Sequence, residues 1–229
     1  MAALSRSGSG RRMIQSLAAF QSNLGRALLG EDTCPIDTQS PGFRFTMTVR
    51  RSWCEGRSIM AARAVLSFMT RVDQQRLVRE YVDHGGGLAW FQATESERFL
   101  AFLAVKLPEP SHALTICRMS QALAKARLGS STVVPLVKQG EVGLVERGRH
   151  AALVWFYADP GEVMAALNGG QLPPIGPPSH AVLFAPGIQG LFRVATEAEA
   201  ALWDTLAVAD APPALVSALL MEGVLAHPP

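Results

Sequence analysis

The chain is 229 residues long, 48% hydrophobic and only 17% charged, with a formal net charge of +2. Soluble domains average about 25% charged residues, so a surface this poor in charge implies cover from a stable partner. Cys34, Cys54 and Cys117 are an odd set without CxxC spacing, which excludes a disulfide framework and a zinc site and fits a reducing cytoplasm.

Residues 1–12 are rich in Ser, Gly and Arg and read as a disordered N-terminus. Arg11-Arg12 is followed by residues too polar for the apolar core of an export signal. From Met13 the apolar positions Leu17, Phe20, Leu24 and Leu28 recur at helical spacing, and Gly30 ends the run. Residues 43–54 and 57–69 read as two more helices. The second is apolar on nearly every side, which suits the middle of a bundle. Val72 to His84, Glu95 to Leu107 and Ser111 to Leu128 complete an all-helical half with short loops, hence a helical bundle over 13–128.

At Gly129-Ser130-Ser131 the texture changes. Val133-Val134, Val142 to Val145 and Ala151 to Tyr157 are β-rich, Gly161 to Leu167 suggests a short helix, and 169–179 is a proline-rich connector. Ala181 to Ala185 and Gly190 to Val194 then read as strands around a Pro186-Gly187 type II turn. Thr196 and Glu199 have capping-box spacing and start a helix; Pro212-Pro213 breaks the chain before another. The fold class is therefore α+β. A helical domain (13–128) precedes a small three-stranded sheet with helices (129–229), winged-helix-like in layout.

Charge divides along the same line. Residues 1–128 carry 17 Lys and Arg against 10 Asp and Glu, whereas 129–229 carry 4 against 9. Nearly all the positive charge is Arg, the side chain suited to interfacial pairing. Arg50, Arg51 and Arg57 stand out as candidates for docking an acidic partner. No constellation in the chain supplies chemistry. Gly85-Gly86-Gly87 lacks the Lys-Ser/Thr of a nucleotide loop, the five histidines never reach metal-ligand spacing, and no nucleophile has a base. The longest wholly apolar run, Ala151 to Tyr157, is too short to span a bilayer.

The strings Val49-Arg-Arg-Ser-Trp-Cys-Glu-Gly-Arg57, Asp83-His-Gly-Gly-Gly87, Phe99 to Val105 and Pro110-Ser-His-Ala-Leu-Thr-Ile-Cys-Arg118 carry a resemblance. Over most of residues 13–226 the chain resembles the MbnC/TglI-like partner subunits of multinuclear iron TIM-barrel oxygenases in ribosomal peptide natural-product biosynthesis. The strand Leu191 to Val194 running into the Thr196 helix is similar to PqqD-like leader-recognition modules, although only two helices fit after it where that module has three. The resemblance implies a non-catalytic subunit with no cofactor of its own. It would bind the leader of a precursor peptide and present it to an iron-containing enzyme in a heterodimer, as in thiaglutamate or methanobactin assembly.

The expected peptide-binding residues are Gly190, Leu191, Phe192, Arg193 and Val194, on an edge strand to which an extended leader adds. Alternation pairs Leu191 with Arg193 on one face and Phe192 with Val194 on the other. The apolar pair is expected to lie toward the Thr196 helix, leaving Arg193 to meet an acidic leader residue. The alternative reading is a winged-helix DNA-binding regulator. Against it, the helix after Pro212-Pro213 has no Lys or Arg to touch phosphate.

Overall fold

A computed structural model describes residues 19–24, 26–27, 37–130 and 145–228. The expected disordered N-terminus, the strand at Val133-Val134 and most of the one at Val142 to Val145 lie outside these residues. The protein is mixed α+β, in two compact units: residues 1–54 and residues 55–229.

In the first unit, residues 19–24 and 26–27 are helical, and helix α1 (Pro41–Ala61) begins. Ser40 caps α1, its hydroxyl accepting the Phe43 N–H at 3.3 Å, and Pro41 suits the first turn, where its missing N–H costs nothing. Two helices were expected over 43–69, but α1 runs unbroken through Gly56. The break comes at Ala62, before the short α2 (Arg63–Leu66). Val65 and Leu66 are buried, whereas Met60 is 74% exposed, so this stretch is not buried all round as expected.

In the second unit α3 (Arg71–Asp83), α4 (Gln92–Lys106) and α5 (His112–Ser130) follow. Thr70 caps α3 by accepting the Asp73 N–H, and the Ser111 hydroxyl caps α5 by accepting the Leu114 N–H at 3.1 Å. The β1 strand (Glu146–Arg147) pairs with β5 (Leu225–Ala226). A second, antiparallel sheet has the order β2 (Ala152–Phe156), β3 (His180–Phe184), β4 (Phe192–Val194). Between β2 and β3 lies α6 (Pro160–Ala166), capped by Asp159. After β4 come α7 (Glu197–Thr205), a 3-10 turn (Val208–Asp210) and α8 (Pro213–Met221). The capping box at Thr196 is formed as expected, both reciprocal bonds being present.

Strand alternation gives this sheet two apolar faces. Val154, Phe156, Val182 and Phe184 share a core with Phe99 and Leu103 of α4 and Ile116, Ala122 and Ala126 of α5. Ala151, Leu183 and Ala185 share the other with Leu202, Val216, Leu219 and Leu225. Since α5 packs across β2 and β3, the expected domain boundary near residue 129 falls inside one compact unit.

The β3–β4 connection differs from the expected type II turn. Such a turn needs positive φ at its third residue, but Gly187 lacks it; the left-handed residues are Gly190 (φ 77°) and Leu191 (φ 73°). What requires glycine at 187 is proximity. A Cβ there would lie 2.8 Å from the Glu222 carbonyl, to which the Gly187 N–H donates at 3.0 Å.

Candidate functional site

At β4 the sheet leaves an edge. The Ala195 N–H donates to the Ala181 carbonyl at 2.8 Å and the Ala185 N–H to the Leu191 carbonyl at 3.1 Å. With Leu183 opposite Arg193, this makes Arg193 the residue whose backbone faces β3. In an antiparallel ladder its neighbours turn the other way, so the N–H groups of Phe192 and Val194 point away from the sheet.

The side chains of the same strand divide across its two faces. Phe192 and Val194 stand on the face of Phe184 and Val182, beyond the cover of α5, and are 52% and 59% exposed. Phe192 stacks on Phe184 with ring centroids 5.7 Å apart. Leu191, held left-handed, leaves the alternation and packs against the core beneath that face. A non-glycine residue in this conformation costs about 1–2 kcal/mol, and here the strain sits at the start of the open strand.

Arg193 takes the opposite face, and the expected arrangement is reversed. It is Arg193, not the apolar pair, that faces α7. Its Nε and Nη2 donate to Glu222 at 2.9 and 2.7 Å, and its Nη1 and Nη2 donate to Glu199 at 2.9 and 2.7 Å. Glu199 also accepts the Thr196 N–H at 2.8 Å. Hydrogen bonds from Arg193 hold the Glu199 carboxyl below its ordinary range despite burial, and the two carboxylates push the guanidinium's pKa up. The clamp ties β4 to the first turn of α7 and the end of α8. The physical reason for the reversal is that a cation beside the buried Glu199 is stabilised by it, whereas an apolar side chain there would leave that carboxylate unpaired.

Of the expected peptide-binding residues, Phe192, Arg193 and Val194 form β4, with Phe192 and Val194 presenting outward N–H groups and exposed side chains, whereas Gly190 and Leu191 precede the strand in left-handed conformations. Arg50, Arg51 and Arg57 lie on a different element, α1, the first two within residues 1–54 and the third within 55–229. The Arg57 carbonyl accepts the Gln92 side chain at 3.2 Å.

Sequence reasoning missed a second exposed feature. In the loop before α4, Trp90 is 95% exposed and Phe91 75%. Below them the buried Glu95 carboxylate accepts the Tyr81 hydroxyl at 2.6 Å, the Gly87 N–H at 2.8 Å and the Ala89 N–H at 2.9 Å. Burial pushes that carboxyl up, and these three donors outweigh it, leaving it below its ordinary value. The glycine run is thus pinned by a carboxylate as well as ending α3.

Among the described residues no cluster of His, Cys, Asp and Glu could hold a metal ion, and no helix is long and apolar enough to cross a membrane. No protein-family model, curated protein or solved structure matches the chain.

Proposed function

We propose that this protein is a non-catalytic peptide-recognition subunit: β2–β4, α7 and α8 form a winged-helix-like module that takes up the leader of a ribosomally made precursor peptide by strand addition at β4. The observation that carries the reading is the edge itself. Outward-facing N–H groups at Phe192 and Val194 coincide with exposed apolar side chains at the same two positions. Backbone bonds supply affinity in this mode of recognition, and alternate side chains supply selectivity. The Arg193 clamp holds the strand in one register before any ligand arrives, which reduces the ordering cost of binding.

The helices preceding the sheet form the part that docks a TIM-barrel iron enzyme, on the resemblance described above. Exposed Trp90 and Phe91 support a protein-facing surface, since Trp is enriched among the residues that dominate interface energies and exposed apolar patches mark such surfaces. The Glu95 carboxylate ties the start of that loop at Gly87 and Ala89. A DNA-binding role is disfavoured because α8 carries no Lys or Arg.

Co-expression with a TIM-barrel iron enzyme of the kind the resemblance implies tests the reading. A one-to-one complex that retains a precursor peptide, and loses it on Val194→Pro, supports it. A monodisperse lone chain with affinity for neither contradicts it.

A further inference from the structure

We infer that the segment added beside β4 is basic: an extended peptide with apolar residues over Phe192 and Val194 and Lys or Arg on the face shared with α7. The inference rests on the strand-addition reading and names the chemistry of its ligand.

Every donor of Arg193 is already engaged. A guanidinium has five N–H groups. Here Nε bonds Glu222, Nη1 bonds Glu199 and the Val194 carbonyl, and Nη2 bonds both carboxylates. No donor remains for an acidic ligand side chain, and one guanidinium between two carboxylates leaves a net charge of −1. The chain that follows β4 is acidic as well. Residues 195–229 contain Glu197, Glu199, Asp204, Asp210 and Glu222 and no Lys or Arg. Glu197 is exposed in the first turn of α7, close in sequence to the end of β4. Arg147, which reaches this region from β1, donates to the Trp203 and Asp204 carbonyls.

An incoming strand alternates its side chains as β4 does. Every second residue would therefore come to lie beside Arg193 and its carboxylates, where an acid is repelled and a cation attracted. The residues between them would meet Phe192, Val194 and the Phe184 ring stack, where the match is apolar.

The probe is a capped, fluorescently labelled heptapeptide of alternating Val and Lys, compared by anisotropy with the same peptide bearing Glu in place of Lys. The full-length protein should bind the Lys peptide at least about tenfold more tightly at low salt, like charges in apposition being strongly disfavoured. That gap should shrink as salt screens it. Glu197→Lys should narrow it, and Val194→Pro should abolish binding of the Lys peptide. Tighter binding of the Glu peptide, still lost on Val194→Pro, overturns the inference and leaves strand addition standing. Binding of neither peptide, or binding indifferent to Val194→Pro, overturns both. So does a β4-mediated dimer, seen in sedimentation and broken by Val194→Pro, that takes up no peptide.

Discussion

The two edges of the β2–β3–β4 sheet are built differently. At the end of β2, the proline-rich connector returns to the strand: the Gly176 N–H donates to the Tyr157 carbonyl at 2.8 Å, and the Ser179 N–H to Phe156 at 3.1 Å. Beside it the Glu109 carboxylate accepts the Tyr157 hydroxyl at 2.8 Å and a two-pronged contact from Arg118 at 2.7 and 2.8 Å. Proline and charge are the ordinary protections of a sheet edge. At β4 the charge is turned inward into a clamp, and exposed Phe and Val face outward. One edge is therefore tied down at its end by the returning chain, and the other is stiffened from behind.

The largest effects should separate the covered strand from the open one. Phe184→Ala removes a buried ring, and chemical denaturation should register a loss of about 3–5 kcal/mol. Phe192→Ala, on the neighbouring position across the stack, should cost less than about 1 kcal/mol in stability, the low end of large-to-small losses for a half-exposed ring. Yet it should weaken peptide binding. If the two variants lost equal stability, Phe192 would belong to the core and the edge would not be a binding surface.

Next in size is the clamp. Arg193→Met leaves Glu199 and Glu222 facing each other without a cation, with an expected loss of about 2 kcal/mol at neutral pH, less than for a fully buried pair because the side chains are partly exposed. The pH dependence has a definite sign. In the native protein the lowered pKa of Glu199 contributes stability above its ordinary value of 4.5, and that contribution is lost as the pH falls through the lower folded value. In the variant the carboxylates gain by protonation, so the two stability curves should converge on acidification. Parallel curves in a pH series of thermal melts would show that the clamp contributes nothing.

At the β2 edge the effects should be small. Arg118 and Tyr157 hold Glu109 down to about 2, but the pair is half exposed, so Glu109→Gln should cost less than about 1 kcal/mol. That loss should appear above the usual carboxylate range and fade as the pH drops from 4.5 toward 2. Peptide binding at β4 should not change. A change would mean that the two edges are coupled.

Much of this was legible in sequence because it is local. Thr196-x-x-Glu199 announces its own capping box, and alternation placed Phe192 and Val194 on a common face. What could not be read depends on partners distant along the chain. Arg193 meets Glu222 across 29 residues, so neither the clamp nor the face it occupies follows from spacing. Gly187 suggested turn chemistry, whereas its real constraint is the Glu222 carbonyl beside it. The Glu95 bonds reach back to Tyr81, Gly87 and Ala89 with no periodic signature. Trp90 and Phe91 precede a helix, where pattern alone does not tell burial from exposure.

On the proposal above, β4 accepts a strand through the outward N–H groups of Phe192 and Val194. Amide hydrogen exchange, read residue by residue by NMR with and without the Val-Lys peptide, tests it most directly. New protection is expected at the Phe192 and Val194 amides, with Leu153 and Trp155 on the far edge unchanged. Protection at the far edge, or none at Phe192 and Val194 while the peptide is bound, would contradict it.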